Sequence, residues 1–165
     1  FPGERRLLIP SPSVATYDLA PQMRAAEIAD AVVASIESGE EQLIVANLAN
    51  PDMVGHTGSW EATLRACEAV DAALGRIFAA AAARPGSLLA ITGDHGNAET
   101  MRTTDGEPVT SHTSTKVPLL LAGDAAEGVE LAEGELSDIL PTLAELSGLT
   151  LPAGVTGHSL LRKRK

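Results

Sequence analysis

Cys67 is the only cysteine in the chain, which excludes an internal disulfide and any thiolate metal cluster. The lone thiol shares helical spacings with Leu64, Leu74 and Phe78 and has no cationic neighbour in sequence. It is therefore expected to be a buried packing residue on the apolar stripe of a helix. No run of about 18 apolar residues is present and no basic region leads an apolar stretch, so neither a membrane span nor a signal peptide is expected. The location this implies is cytoplasmic. Basic charge is short as well: 12 Lys and Arg against 22 Asp and Glu leave a net charge of −10. That balance repels nucleic acid and anionic membranes and offers no field to attract a phosphorylated acid. There is no internal repeat, and the alanine run at 79–83 is explained by helix propensity. The basic end, Leu161 to Lys165, reads as a solvated terminus. With 165 residues, the chain can build one core at most, burying about 70% of its unfolded surface.

What is present is a succession of short apolar runs and helical periodicities. Residues 1–20 read as irregular or short-stranded, with Pro10 and Pro12 as breakers. A helix is expected over 22–38, with Ile28, Val32 and Ile36 along one face and Gly39 at its end. Leu43-Ile44-Val45-Ala46, within 42–48, reads as a buried strand. A long alanine-rich helix from about Ser59 to Ala83 closes at Arg84-Pro85-Gly86. Strands follow at 88–92 and 117–122, separated by a polar excursion whose Asp105-Gly106 dipeptide signals a hairpin. A last helix carries Ile139, Leu140, Leu143 and Leu146, with Ser137 as its N-cap and Gly148 beyond its end. Alternating strands and helices predict an α/β fold with a mostly parallel sheet flanked by helices.

Three of the chain's four histidines lie in short segments that also carry Asp, Gly or Ser: Pro51-Asp52-Met53-Val54-Gly55-His56, Gly93-Asp94-His95-Gly96-Asn97 and Ser111-His112-Thr113. Imidazole and carboxylate together suit Zn²⁺ or Mn²⁺, and the lack of thiolates points to an open, working site. Asp52 and His56 are four apart, so one helical turn or one tight loop would bring both to the same side. A turn after a strand, eased by Gly93 and Gly96, could aim Asp94 and His95 into one cavity or at two metals on either side of them. Taken singly, each residue has an ordinary structural use: Asp52 as a helix-capping carboxylate after Pro51, Asp94 as a turn cap, His56, His95 and His112 as hydrogen-bonded loop residues. Their joint occurrence at expected strand ends favours a metal site, where open α/β sheets place their ligands. His158 has no carboxylate beside it in sequence and reads as structural. Asn97 and Glu99 could orient ligands from behind. Ser111 next to His112 does not make a catalytic pair, whose members meet in space.

Asn50-Pro51-Asp52-Met53-Val54-Gly55-His56-Thr57-Gly58, Asp94-His95-Gly96-Asn97-Ala98-Glu99 and His112-Thr113 resemble the cofactor-independent phosphoglycerate mutase family of the alkaline phosphatase superfamily. Phe1-Pro2-Gly3-Glu4, Ile9-Pro10-Ser11-Pro12, Val14-Ala15-Thr16-Tyr17-Asp18, Glu68-Ala69-Val70-Asp71 and Thr156-Gly157-His158-Ser159-Leu160 extend the resemblance along essentially the whole chain. The sequence departs from the family pattern at Ser13, where a lysine is expected, and at Lys116, where a proline is common. The resemblance implies an alkaline-phosphatase-like fold, here incomplete, with residues 1–165 forming the C-terminal part of a metal-binding phosphatase domain. The N-terminal part of that domain and an inserted transferase domain would be absent. It further implies two divalent ions, Mn²⁺ by family habit. Asp52, His56 and His112 would hold one, and Asp94 and His95 would hold the other with an Asp and a nucleophilic Ser from outside this chain. The implied whole enzyme is a cytoplasmic monomer that interconverts 3-phosphoglycerate and 2-phosphoglycerate through a phosphoserine, and this part alone would be inactive. The alternatives are another phosphatase or a phosphopentomutase of the same superfamily, and a noncatalytic metal-binding module.

Overall fold

The computed structural model of the chain describes residues 3–162. Phe1-Pro2, part of the family-like opening, and the last three residues of the basic tail lie outside them. The described residues form two compact units, one made of the chain up to Ala80 together with His95–Lys116, the other of Ala81–Asp94 and the chain from Val117 onward.

In the first unit, a 3-10 turn at Tyr17–Leu19 leads into helix α1, Ala25–Ser38. The helix ends at Gly39, which adopts a left-handed conformation and returns its N–H to the Ser35 carbonyl, as a glycine at this position does without steric cost. Helix α2, Asn50–Gly55, begins with Pro51 in its first turn, where the missing N–H costs nothing. The fully buried Asn50 fastens α2 to the turn before α1 by donating to the Pro21 and Gln22 carbonyls at 3.1 and 2.8 Å. Helix α3, Trp60–Ala82, is opened by Ser59, whose hydroxyl accepts the Ala62 N–H at 3.4 Å. Val54, Ala62 and Ala66 form the centre of this unit's core, with Tyr17 and Met23 against them.

The burial of α3 corrects the expectation for Cys67. Its buried positions are Ala62, Thr63, Ala66, Ala73 and Ile77, a stripe of mostly small residues, and Arg76 reaches to Asp30 and the Ala26 carbonyl of α1. The larger stripe is bare: Trp60, Leu64 and Phe78 are about half exposed and Cys67 lies at the surface. Periodicity finds both stripes but does not say which one a neighbour covers. The thiol is nonetheless a poor nucleophile, because partial desolvation and then the Glu68 carboxylate push its pKa up.

The second unit holds strands β1, Leu89–Thr92, and β2, Leu119–Ala122, and helix α4, Ile139–Leu146. β1 and β2 pair antiparallel, Leu89 opposite Ala122 and Thr92 opposite Leu119, so a mostly parallel sheet is not what the described residues form. Parallel neighbours need a crossover, usually helical, and the connection between these strands contains no helix among the described residues. The expected strand at 42–48 is also missing. That segment makes no ladder, and Leu43 and Val45 are exposed at 71% and 86%; an apolar run becomes a strand only when another strand accepts its hydrogen bonds.

Before α4, a capping box replaces the expected Ser137 cap. The Asp138 carboxylate accepts the Glu135 N–H at 2.9 Å and, through its other oxygen, the His158 N–H at 2.9 Å. The His158 ring lies 3.1 Å from the same carboxylate, which gives this histidine the structural role expected of it. Thr142, fully buried, donates to the Asp138 carbonyl and accepts the Leu160 N–H. One carboxylate thus caps the 3-10 turn Leu136–Asp138 that leads into α4 and ties down the segment 158–160. The two backbone N–H groups, and then the neighbouring imidazole, hold the Asp138 pKa below the usual aspartate range. A depressed pKa contributes stability that is present above the unfolded value and is lost as pH falls through the folded one. Asp138→Asn should therefore lower the urea midpoint of unfolding at pH 6, with the deficit shrinking as pH falls below about 4. A deficit of constant size between pH 6 and pH 3 would show that the charge is irrelevant.

Candidate metal centre

Asp52 stands in the first turn of α2 and His56 at its C-cap. The helical i,i+4 spacing brings Asp52 Oδ1 within 3.2 Å of His56 Nε2. The same oxygen is 3.1 Å from His112 Nε2, and the two imidazole nitrogens are 3.1 Å apart. These three groups form a candidate cluster for a metal ion. An ion bonded at about 2.0–2.1 Å to three corners of a tetrahedron spaces those corners by about 3.3 Å, close to the triangle formed here. The donor set fits as well, since imidazole nitrogens and a carboxylate are the ligands of open zinc- and manganese-type sites.

His112 comes from the far side of the polar excursion, and three contacts hold it in place. His56 Nδ1 lies 2.6 Å from the Thr110 carbonyl, so that nitrogen carries the proton and Nε2 presents its lone pair to the cluster. Thr113 N–H donates to the Gly96 carbonyl at 2.8 Å, and the Thr113 hydroxyl bonds to Glu99. That hydroxyl bond is the main reason the Glu99 pKa is lowered. The expected hairpin forms between these anchors, with Arg102 bridged to Pro108 and left-handed Gly106 at its tip.

His95 joins the group less closely. Its Nδ1 is 4.0 Å from Asp52 Oδ1, and its ring stacks on His112 with centroids 3.7 Å apart. Asp94 is exposed and belongs to the second unit. Gly93 and Gly96, expected to ease the turn, are not among the left-handed glycines. Gly96 serves by being small: a Cβ there would run into the Thr113 hydroxyl and the Glu99 carboxylate. Asp52 does not cap its helix, because its carboxylate is turned toward the imidazoles. Nor does it follow a strand, since the run before it forms none. Sequence reading missed Thr110 and Gly55. Thr110 acts through a backbone carbonyl, which leaves no side-chain signature, whereas a glycine inside a helix was the available signal for Gly55.

Residues 1–151 match the family model described as the Metalloenzyme superfamily. Among similar proteins is the 2,3-bisphosphoglycerate-independent phosphoglycerate mutase of Rhodopseudomonas palustris, 54% identical over 98% of this chain and 31% of the relative. The enzyme of the same name from Desulforudis audaxviator is 52% identical over 97% of this chain and 31% of its own length. This chain therefore spans 31% of the length of these relatives. Among solved structures, Leishmania mexicana phosphoglycerate mutase at low cobalt concentration superposes with a TM-score of 0.83, at 29% identity, over 94% of this chain and 31% of that one.

The geometry separates a three-ligand group from the more distant His95. In calorimetric titration with Mn²⁺, His56→Ala should weaken the tightest site by more than about 100-fold, since even partners behind the ligands typically cost 10–100-fold. His95→Ala should weaken the same site far less. Equal losses from the two substitutions would mean that all four groups act as one site.

Proposed function

We propose, from the premise that this chain belongs to the Metalloenzyme superfamily and has its alkaline-phosphatase-like α/β fold, that it is the C-terminal part of the phosphatase domain of a cofactor-independent phosphoglycerate mutase. The observation that carries this reading is the Asp52, His56 and His112 triangle, lying within a sequence 54% identical to such an enzyme. The whole protein would interconvert 3-phosphoglycerate and 2-phosphoglycerate in glycolysis and gluconeogenesis, as a cytoplasmic monomer. A phosphatase or phosphopentomutase of the same superfamily is less well supported, because the relatives at 54% and 52% identity are phosphoglycerate mutases.

In this reading Asp52, His56 and His112 hold one divalent ion, taken to be Mn²⁺, and Asp94 and His95 contribute to holding a second. Bound divalent ions of this kind neutralise charge on a transferring phosphoryl group and activate the attacking hydroxyl. The chain's own residues supply position. The Thr110 carbonyl fixes the His56 tautomer, and the Glu99 and Thr113 tie keeps His112 beside Asp52. The nucleophilic serine and the groups that grip phosphoglycerate are assigned to parts of the longer protein outside this chain.

The uncovered apolar positions support the same reading. Leu7, Leu8, Leu43 and Val45 lie on segments that form no strand among the described residues, and Trp60, Leu64 and Phe78 line one side of α3. Surfaces of this kind are covered in a finished domain.

Alone, the chain should not interconvert the two phosphoglycerates in a coupled assay with excess Mn²⁺; turnover near the roughly 10 s⁻¹ typical of enzymes would overturn the reading. Co-expression with the N-terminal and transferase parts of a mutase should restore Mn²⁺-dependent activity, and Asp94→Ala should abolish it. If the full-length gene product is also inactive, the assignment as a mutase is wrong.

A further inference from the structure

Asn97 is 4% exposed and touches the candidate centre through one side-chain atom. Its Nδ2 donates to Asp52 Oδ1 at 2.6 Å and to the Asp52 carbonyl at 3.3 Å. Both partners are pure acceptors, so the orientation of the amide is fixed by chemistry. The oxygen it grips is the one that faces His56 and His112. Occupying one side of that oxygen leaves the other toward the imidazoles. The Asn97 Oδ1 atom is buried and has no hydrogen-bond partner among the described residues. A side chain chosen for stability alone would not leave a buried carbonyl unpaired; the amide is kept for its N–H₂ group.

Gly55 explains how the amide gets there. The residue is buried at the C-terminal end of α2 and is not in the left-handed conformation that would demand glycine, so alanine would be the better helix former there. A Cβ at this position would sit 2.6 Å from Asn97 Oδ1 and 3.2 Å from its Cγ. The glycine is thus required for space, not for conformation. The backbone N–H of Asn97 donates to Glu99 at 2.7 Å, which anchors the amide to the same tie that holds Thr113.

We infer that Asn97 is the positioning residue for Asp52, and that Gly55 is glycine in order to admit it. The inference rests on the reading of Asp52, His56 and His112 as a metal centre. It makes the Pro-Asp-Met-Val-Gly-His segment and the Gly-Asp-His-Gly-Asn segment one device: the second supplies the clamp for the first, and the glycine of the first is shaped to fit it.

The test uses the full chain with Mn²⁺ for affinity and Co²⁺ for its visible spectrum, on the wild type, Asn97→Ala, Gly55→Ala and the double variant, with a thermal melt of each. Asn97→Ala and Gly55→Ala should each weaken Mn²⁺ binding by about 10–100-fold and alter the Co²⁺ spectrum. The double variant should regain the melting temperature lost in Gly55→Ala, because the clash is gone, yet bind the ion no better than Asn97→Ala. Such non-additivity is expected of residues acting through one contact. If Gly55→Ala does not fold, Asn97→Ala and the double variant still decide the matter. Affinity of Asn97→Ala within about twofold of wild type and an unchanged Co²⁺ spectrum would overturn the inference, since about 10-fold is the least that a partner behind a ligand normally costs. A wild-type chain that binds neither ion would instead remove the metal-centre reading beneath it.

Discussion

The first unit depends on the surroundings of one carboxylate oxygen. Asp52 Oδ1 lies within 3.2 Å of two imidazole nitrogens and accepts a hydrogen bond from the buried Asn97 amide. Bringing these groups together requires three separated pieces of chain to meet: a short helix, the turn after β1 and the far leg of a hairpin. Each piece has its own fastening: Asn50 to the turn before α1, Glu99 to Thr113 and His56 to the Thr110 carbonyl. Backbone groups do much of this work, because loops that carry functional side chains must still satisfy their own polar atoms.

Close approach is obtained with small residues. Gly55 and Gly96 leave room for the Asn97 amide and for the Thr113 and Glu99 pair, and the buried faces of α1 and α3 are dominated by alanine. Small contact faces bring backbones near each other but bury little apolar area, and hydrophobic stabilisation scales with the area removed from water. Several of the chain's large aliphatic and aromatic side chains remain exposed. This accords with a chain that is 98% covered by an alignment to a protein of which it represents 31%.

The second unit solves a similar problem with a carboxylate that holds no imidazole triangle. Asp138 accepts the backbone N–H groups of Glu135 and of His158, the latter 20 residues further along the chain, and Gly134 and Gly157 admit the crossing chains where a Cβ would collide. The motif around His158 therefore belongs to the architecture of the C-terminal segment.

Sequence alone determined the three longer helices and the identities of the groups in the centre. Periodicity and propensity are local, so α1, α3, α4, the two strands that form and the hairpin at Asp105-Gly106 could be read from neighbours along the chain. The four-residue spacing of Asp52 and His56 was legible for the same reason, although only the fold made it a helical turn and not a tight loop. Tertiary structure alone decided which stripe of α3 is covered, that 43–46 forms no strand, and that β1 and β2 run antiparallel. Each of these depends on a partner distant in sequence. The role of Gly55 shows the limit most clearly, since the atom that requires it to be glycine belongs to residue 97 and comes near only when the chain has folded.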